Sequence, residues 1–262
     1  MSVSTPVPRR PSSWLVSSAL AQRVGSVALF IAVWQITADA VDSRLLPSAS
    51  AVFVALVHLC VEGPLLFHLG ITLARVAAAF IIAMVVGTAI GIVMGRSRTI
   101  DALFDSWLVL LLNLPALVII VLAYVWFGLT EAAAIGAVAV NKIPNTAVTL
   151  REGARALDRN YSDMAASFHV GRWRTLRHVI LPQLYPYIFA AARSGLALVW
   201  KIVLIVELLG MSNGVGFEIQ LYFQQFDVTG ILAYTIAFVA VIQLIEWAIF
   251  QPLERRAGRW RQ

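Results

Sequence analysis

The sequence predicts an all-α polytopic membrane protein with six transmembrane helices, and three observations carry that expectation. Of 262 residues, 60% are hydrophobic and 13% are charged, about half the charged share of a typical soluble domain. The apolar residues gather into runs long enough to cross a bilayer. The basic residues collect on one side of those runs.

Taken in order, residues 1–23 read as a polar tail, broken by Pro6, Pro8 and Pro11. The first expected span is 24–40. Its end, Ala38-Asp39-Ala40, imitates a signal-peptidase site, but the run is long for the apolar part of a cleaved signal. After the Leu46-Pro47 break, residues 48–60 predict a short interfacial helix, with Ser48 or Ser50 as N-cap. The further expected spans are 67–95, 102–127, 131–150, 184–210 and 230–251. A polar, charged stretch from 151 to 178 separates the fourth from the fifth. A Gly-rich loop and an amphipathic segment, 211–228, separate the fifth from the sixth. At 1.5 Å per residue each run can cross roughly 30 Å of hydrocarbon.

Orientation follows from the basic residues. With the N-terminus in the cytoplasm, Arg44 is the basic residue left outside, and Arg75, Lys142, Arg193 and Lys201 fall within spans. Every other basic residue, all of them arginine, is then inside. This predicts both termini in the cytoplasm, the tails being 1–23 and 253–262. It also accounts for the net charge of +6 without nucleic acid. The single cysteine, Cys60, excludes an internal disulfide and reads as a small packed residue.

Residues 158–182 are too greasy for a merely solvated loop. Met164, Phe168, Trp173, Leu176 and Ile180 lie among arginines, and the pattern is helical on both sides of a break at 169–171. This predicts a helix–turn–helix on the inner face, docking against protein. Here the sequence resembles the permease subunits of binding-protein-dependent ABC importers. Their cytoplasmic signature runs Glu-Ala-Ala, three residues, Gly, nine residues, Ile, one residue, Leu-Pro. Aligned on Leu181-Pro182, it places Glu on Asp163, the alanines on Met164 and Ala165, Gly on His169 and Ile on Val179. Gly171 lies two residues past the expected Gly.

Other residues resemble the nitrate/sulfonate/taurine/bicarbonate branch of that family. They are Leu46-Pro47-Ser48, Asn113-Leu114-Pro115, Trp126-Phe127-Gly128, Trp200 with Glu207, and Gly214-Val215-Gly216. The resemblance spans about residues 25 to 252. It implies the type I ABC importer permease fold and a bacterial inner-membrane location. It also implies a coupling loop, 155–182, that inserts into a groove on the ATPase. Its contact residues would be Asp163, Met164, Ala165, Ala166, Phe168, His169, Gly171, Arg172, Trp173, Leu181 and Pro182. The implied partners are a second permease copy, two ATP-binding subunits and an extracytoplasmic binding protein. The solute would be a sulfonate, taurine, nitrate or bicarbonate, or, in relatives of the same branch, a pyrimidine-like heterocycle. The chain has no Gly-x-x-x-x-Gly-Lys-Ser/Thr motif, so ATP and Mg²⁺ would be bound by the partner and no cofactor here.

Within the second span, Ala79, Ala83, Gly87, Gly91 and Gly95 recur every four residues on one face. Such a stripe lets a second helix approach closely, either within this chain or from another copy. Arg75 continues it toward the outer face. Charges inside spans face protein or water. Lys142, beside Asn141 and Pro144, and Lys201 lie near mid-span. Arg193, Trp200 and Glu207 are seven apart on one face of the fifth. Together with Asn113 they are candidates for a translocation pathway, and two mid-span lysines favour an anionic solute. The alternative is internal pairing of Lys142 or Lys201 with Glu207 or Glu246. His58, His68, His169 and His178 have no metal-binding spacing, and no paired carboxylates or Ser/His/Asp set supports an enzyme. A carrier without ATP coupling, or a passive anchor, is the competing class. A carrier has no need of the 158–182 segment, and an anchor no need of the lysines.

Overall fold

The computed structural model describes residues 13–250 and Pro252. The expected tails 1–12 and 253–262 lie outside the described residues. Among the described residues the chain is helical throughout, with no strand. The helices are α1 (Ser13–Val41), α2 (Ala49–Val61), α3 (Leu65–Arg96), α4 (Arg98–Asn113), α5 (Ala116–Phe127), α6 (Glu131–Arg155), α7 (Arg159–Ser167), α8 (Arg172–Thr175), α9 (Leu181–Gly210), α10 (Val215–Gln224) and α11 (Val228–Ile245). Wider π-helical turns join α8 to α9 (Leu176–Ile180) and follow α11 (Glu246–Phe250).

Side-chain caps explain several boundaries. Ser48, Ser97 and Thr130 each accept the backbone N–H three residues on, at 3.3, 3.4 and 3.2 Å, and Asp227 accepts from Thr229 and Gly230. Of the two serines expected to cap α2, Ser48 does so.

Four segments are long and apolar enough to cross a membrane alone: Val24–Val41, Leu65–Arg96, Trp173–Gly210 and Val228–Ala248. The expected third span is not one rod. It is α4 and α5, bent by 96°, and it makes a fifth crossing if the halves act together. Leu114 precedes Pro115, which bars it from the helical region; it takes φ −70°, ψ 127°. The expected fourth span is α6, which is too polar to count alone, so six crossings are not confirmed. With Lys142 and Thr146 on it, α6 stands because α3 and α9 cover its polar residues. Two further expectations need correction. Residues 13–23, assigned to a tail, begin α1. Residues 173–182, expected as the second helix of a helix–turn–helix set apart from the fifth span, are helical but run unbroken into α9. Pro182 and Pro186 lack N–H groups and crowd the preceding turn, and a wider turn ahead of Pro182 accommodates this.

The small-residue stripe of α3 meets α6, inside the chain. A Cβ on Gly87 would lie 2.6 Å from Thr146 Cβ, on Gly91 2.6 Å from the Ala147 carbonyl oxygen, and on Gly95 2.6 Å from Ala154 Cβ. Ala79 and Ala83 are fully buried. Of the two readings of the stripe, packing within one subunit is the observed one. A buried apolar cluster, including Val76, Ile120, Val138, Val199 and Val206, joins α3, α5, α6 and α9. A second, around Leu65, Leu69, Tyr234 and Phe238, joins α3 to α10 and α11. α1 leans on α2, where Trp34 Nε1 donates to the Pro47 carbonyl at 3.0 Å.

Candidate functional site

Three polar places stand out in this apolar bundle. The first lies at the end of the bundle where α6 and α10 begin and α9 ends. Arg75 on α3 is 3% exposed and is its hub. Its Nε donates to Glu131 Oε2 at 2.8 Å and its Nη2 to Glu131 Oε1 at 2.5 Å. Its Nη1 donates to Glu207 Oε1 at 2.7 Å and to the Asn213 carbonyl at 2.8 Å, and Nη2 also reaches Asn213 Oδ1. Glu207, with no exposed surface, also accepts from the Gly216 N–H at 2.9 Å.

This cluster caps α10. The first amides of a helix have no partner within it. Here the Gly214 N–H donates to His68 Nδ1 at 2.9 Å, the Val215 N–H to Thr72 Oγ1 at 2.8 Å, and the Gly216 N–H to Glu207. Because Nδ1 accepts, the His68 proton is on Nε2, which faces Glu218 Oε1 at 3.1 Å. Gly214 has φ +108°, open only to glycine without strain. Further along α10, burial and the Glu218 and Asp227 carboxylates push the Tyr222 phenol above its usual pKa, so it stays protonated.

Of the expected pathway residues, Glu207 alone joins this cluster. Thr72, Glu131, Asn213 and Glu218 are not among the residues the sequence points to, His68 has no expected role there, and the sequence places Arg75 only as an extension of the stripe. A signal was present: His68, Thr72, Arg75 and Ala79 share the face that Ala83 and the glycines continue.

The second place is mid-bundle. Lys142 is 2% exposed and lies against Gly195, where a Cβ would sit 2.5 Å from its Cε. Lys201 is exposed on α9, its Nζ 5.8 Å from the Trp200 ring centre. Neither lysine reaches the carboxylates offered as internal partners. Glu207 is taken by Arg75 at 2.7 Å and Glu246 by Arg193 at 3.3 Å. Asn113 is exposed at the α4–α5 break, donating to the Val109 carbonyl. Asn141 is half-buried on α6. The structure therefore spreads the expected pathway residues along the bundle and gathers no single pocket from them.

The third place is the opposite, arginine-rich end. Arg151 and Arg155 of α6 pair with Asp101, and Arg151 also with Asp105, tying α4 to α6. Beside them α7 carries exposed Asp163 and Met164, with exposed Phe168 just past its end, while Ala165 is buried. Trp173 is 73% exposed at the start of the long helix that holds Leu181 and Pro182. The side chains of Ala166 and Arg172 lie outside the described residues. A cleft of about 720 Å³ runs between Asp163 and Arg96, Arg98, Asp101 and Arg155.

At the turn, His169 has φ +55°. The Val170 N–H reaches back to the Ala165 carbonyl at 2.9 Å, closing α7 as glycine-ended helices close. His169, aligned with the glycine of the resembled signature, holds the left-handed backbone that glycine adopts most easily, and Gly171 does not. His169→Gly is expected to stabilise this turn by about 1 kcal/mol, because the left-handed region strains other residues. Slower amide exchange at Val170 would register it; unchanged or faster exchange would refute it.

Comparison with known proteins accounts for this arrangement. The family model described as "Binding-protein-dependent transport system inner membrane component" matches residues 83–256. The putative aliphatic sulfonates transport permease protein SsuC of Escherichia coli is 31% identical over 88% of each chain. The taurine transport system permease protein TauC of the same organism is 27% identical over 94% of this chain and 92% of its own. The bicarbonate transport system permease protein CmpB of Synechococcus elongatus is 30% identical over 67% of this chain and 63% of its own. Among solved structures, an inward-facing MetNI methionine ABC transporter superposes with a TM-score of 0.62, at 18% identity over 75% of this chain and 97% of its own. An amino acid ABC transporter crystallised with histidines gives 0.61, at 22% identity over 77% and 98%. These two speak for the fold. The all-helical bundle and the family match together make this chain a member of the binding-protein-dependent transport system inner-membrane components, the multi-pass permease subunit of an ABC importer that works with a separate ATPase and a substrate-binding protein.

Proposed function

We propose that this permease passes a small organic or inorganic anion, of the sulfonate, taurine or bicarbonate kind, through a pathway between two copies of itself. The observation that carries this reading is the pair of mid-span lysines with no carboxylate partner among the described residues, the candidate carboxylates being held by arginines. Cations placed so attract an anion in a low-dielectric pathway. The names of the relatives support the same class. Lys142 and Lys201 would set the sign of the charge. Asn113, Asn141 and Trp200 would line the route. Arg193 is engaged by Glu246, and Glu207, sealed under Arg75, braces the wall.

The arginine-rich end faces the cytoplasm in this reading, with both termini, as the bias in basic residues requires. Exposed Phe168 and Trp173 then form the greasy part of an ATPase docking segment, and Asp163 meets a basic residue of that partner. ATP-driven closure moves this segment and rocks the helices, giving alternating access. Asp163→Arg is expected to weaken co-purification of the ATPase subunit at least tenfold, about 1.4 kcal/mol, because like charges then oppose. Undiminished co-purification would defeat the coupling assignment. For the solute, ATP hydrolysis stimulated by the loaded binding protein would be measured in reconstituted vesicles. Methanesulfonate, taurine, nitrate and bicarbonate are compared with a neutral pyrimidine; stimulation by the pyrimidine alone would overturn the anion reading.

A further inference from the structure

Lys142 is the one lysine buried in the bundle, and its position is built with care. Its Nζ makes no hydrogen bond or ion pair with any described residue, while Arg75, Glu207, Arg193 and Glu246 satisfy one another elsewhere. Its side chain lies against Gly195 of α9. A Cβ on Gly195 would stand 2.5 Å from Lys142 Cε and 3.1 Å from Nζ, so glycine is what opens the slot. A cation in an apolar interior is costly unless something pairs with it; no described residue does, and the Nζ is not fully sealed from solvent. Two residues on, Pro144 lies inside α6. It cannot donate to the Val140 carbonyl, which weakens the helix at the turn that carries Lys142.

We propose that Lys142 is a solute-contacting, specificity-determining residue, stowed against Gly195 in this conformation and presented to the anionic group of the solute when α6 and α9 separate. This rests on the anion-importer reading and adds to it a named contact and a conformational condition. The opposite charge that no described residue supplies is then carried by the cargo. The stowed position keeps the amine from holding an anion between cycles.

The test uses the whole importer, with its ATPase and binding protein, in vesicles. The chain contains two lysines, Lys142 and Lys201, so acylation by a small amine-reactive ester is read at each by peptide mass spectrometry. No substitution is needed. Lys142 is expected to react at least tenfold faster in one of two states, nucleotide-free or trapped with ATP and vanadate. The anion that best stimulates hydrolysis is expected to slow that reaction at least threefold. In a second arm, Lys142→Met should raise the concentration of that anion needed for half-maximal uptake at least tenfold. Equal reactivity of Lys142 in both states, absence of anion protection, or an unshifted half-saturation would overturn the proposal. If no anion in the panel stimulates hydrolysis, the anion-importer reading fails and this inference falls with it. State-dependent reactivity without anion protection would instead leave that reading standing and refute the contact alone.

Discussion

Replacing Arg75 with methionine is expected to destabilise the permease by about 3–5 kcal/mol, the range for breaking a buried ion pair by deleting one partner. The guanidinium holds Glu207, Glu131 and both oxygens of Asn213 at once. Without it, Glu207 keeps only the Thr72 hydroxyl and the Gly216 amide, in a site with no exposed surface. Glu207→Gln should cost less, because Arg75 retains Glu131 and Asn213 and no charge is stranded. The double variant, Arg75→Met with Glu207→Gln, should recover part of the loss, since the buried carboxylate is then gone. Thermal unfolding of the detergent-solubilised protein would rank the three. If Arg75→Met unfolds within about 1 kcal/mol of the parent, too little for a stranded charge, the clamp is not what joins α3, α9 and the start of α10.

The next largest effect is expected at Gly91. A Cβ there would meet the Ala147 carbonyl oxygen at 2.6 Å, Leu150 Cβ at 2.7 Å and the Arg151 amide nitrogen at 3.0 Å. Two of these are backbone atoms, which cannot rotate aside. Gly91→Val must therefore push α3 and α6 apart, at about 2–3 kcal/mol, the upper part of the range for overpacking. Close approach is the main source of helix association in lipid, so the loss has no hydrophobic compensation. Gly136 provides the control. It lies on α6, and a Cβ there meets nothing within 4 Å. Gly136→Ala should be neutral, or stabilising by up to about 1 kcal/mol through helix propensity. Equal effects at the two glycines would show that α3 and α6 are not in backbone contact.

These expectations depend on features of different legibility. The spacing of Ala79, Ala83, Gly87, Gly91 and Gly95 was readable because helical periodicity fixes which residues share a face. Which helix that face meets was not readable, since periodicity carries no information about the neighbour. Likewise, Pro115 announces a break after Asn113, but the 96° bend depends on what the two halves pack against. His169 at a glycine position was visible as a departure from the family pattern. That it adopts a glycine-like φ was visible only in three dimensions.

The sequence by itself determined that the chain is helical and membrane-spanning, and which end carries the arginines. Hydropathy, helical period and positive charge are local properties, summed over neighbours in the chain. Only the tertiary structure decided the pairing of the buried charges. Arg75 finds Glu207 across 132 positions of chain, Glu246 takes Arg193, and Lys142, beside Gly195, pairs with no described residue. In an apolar medium a charge seeks whichever partner the fold brings within about 3 Å, and that distance is set by helix packing.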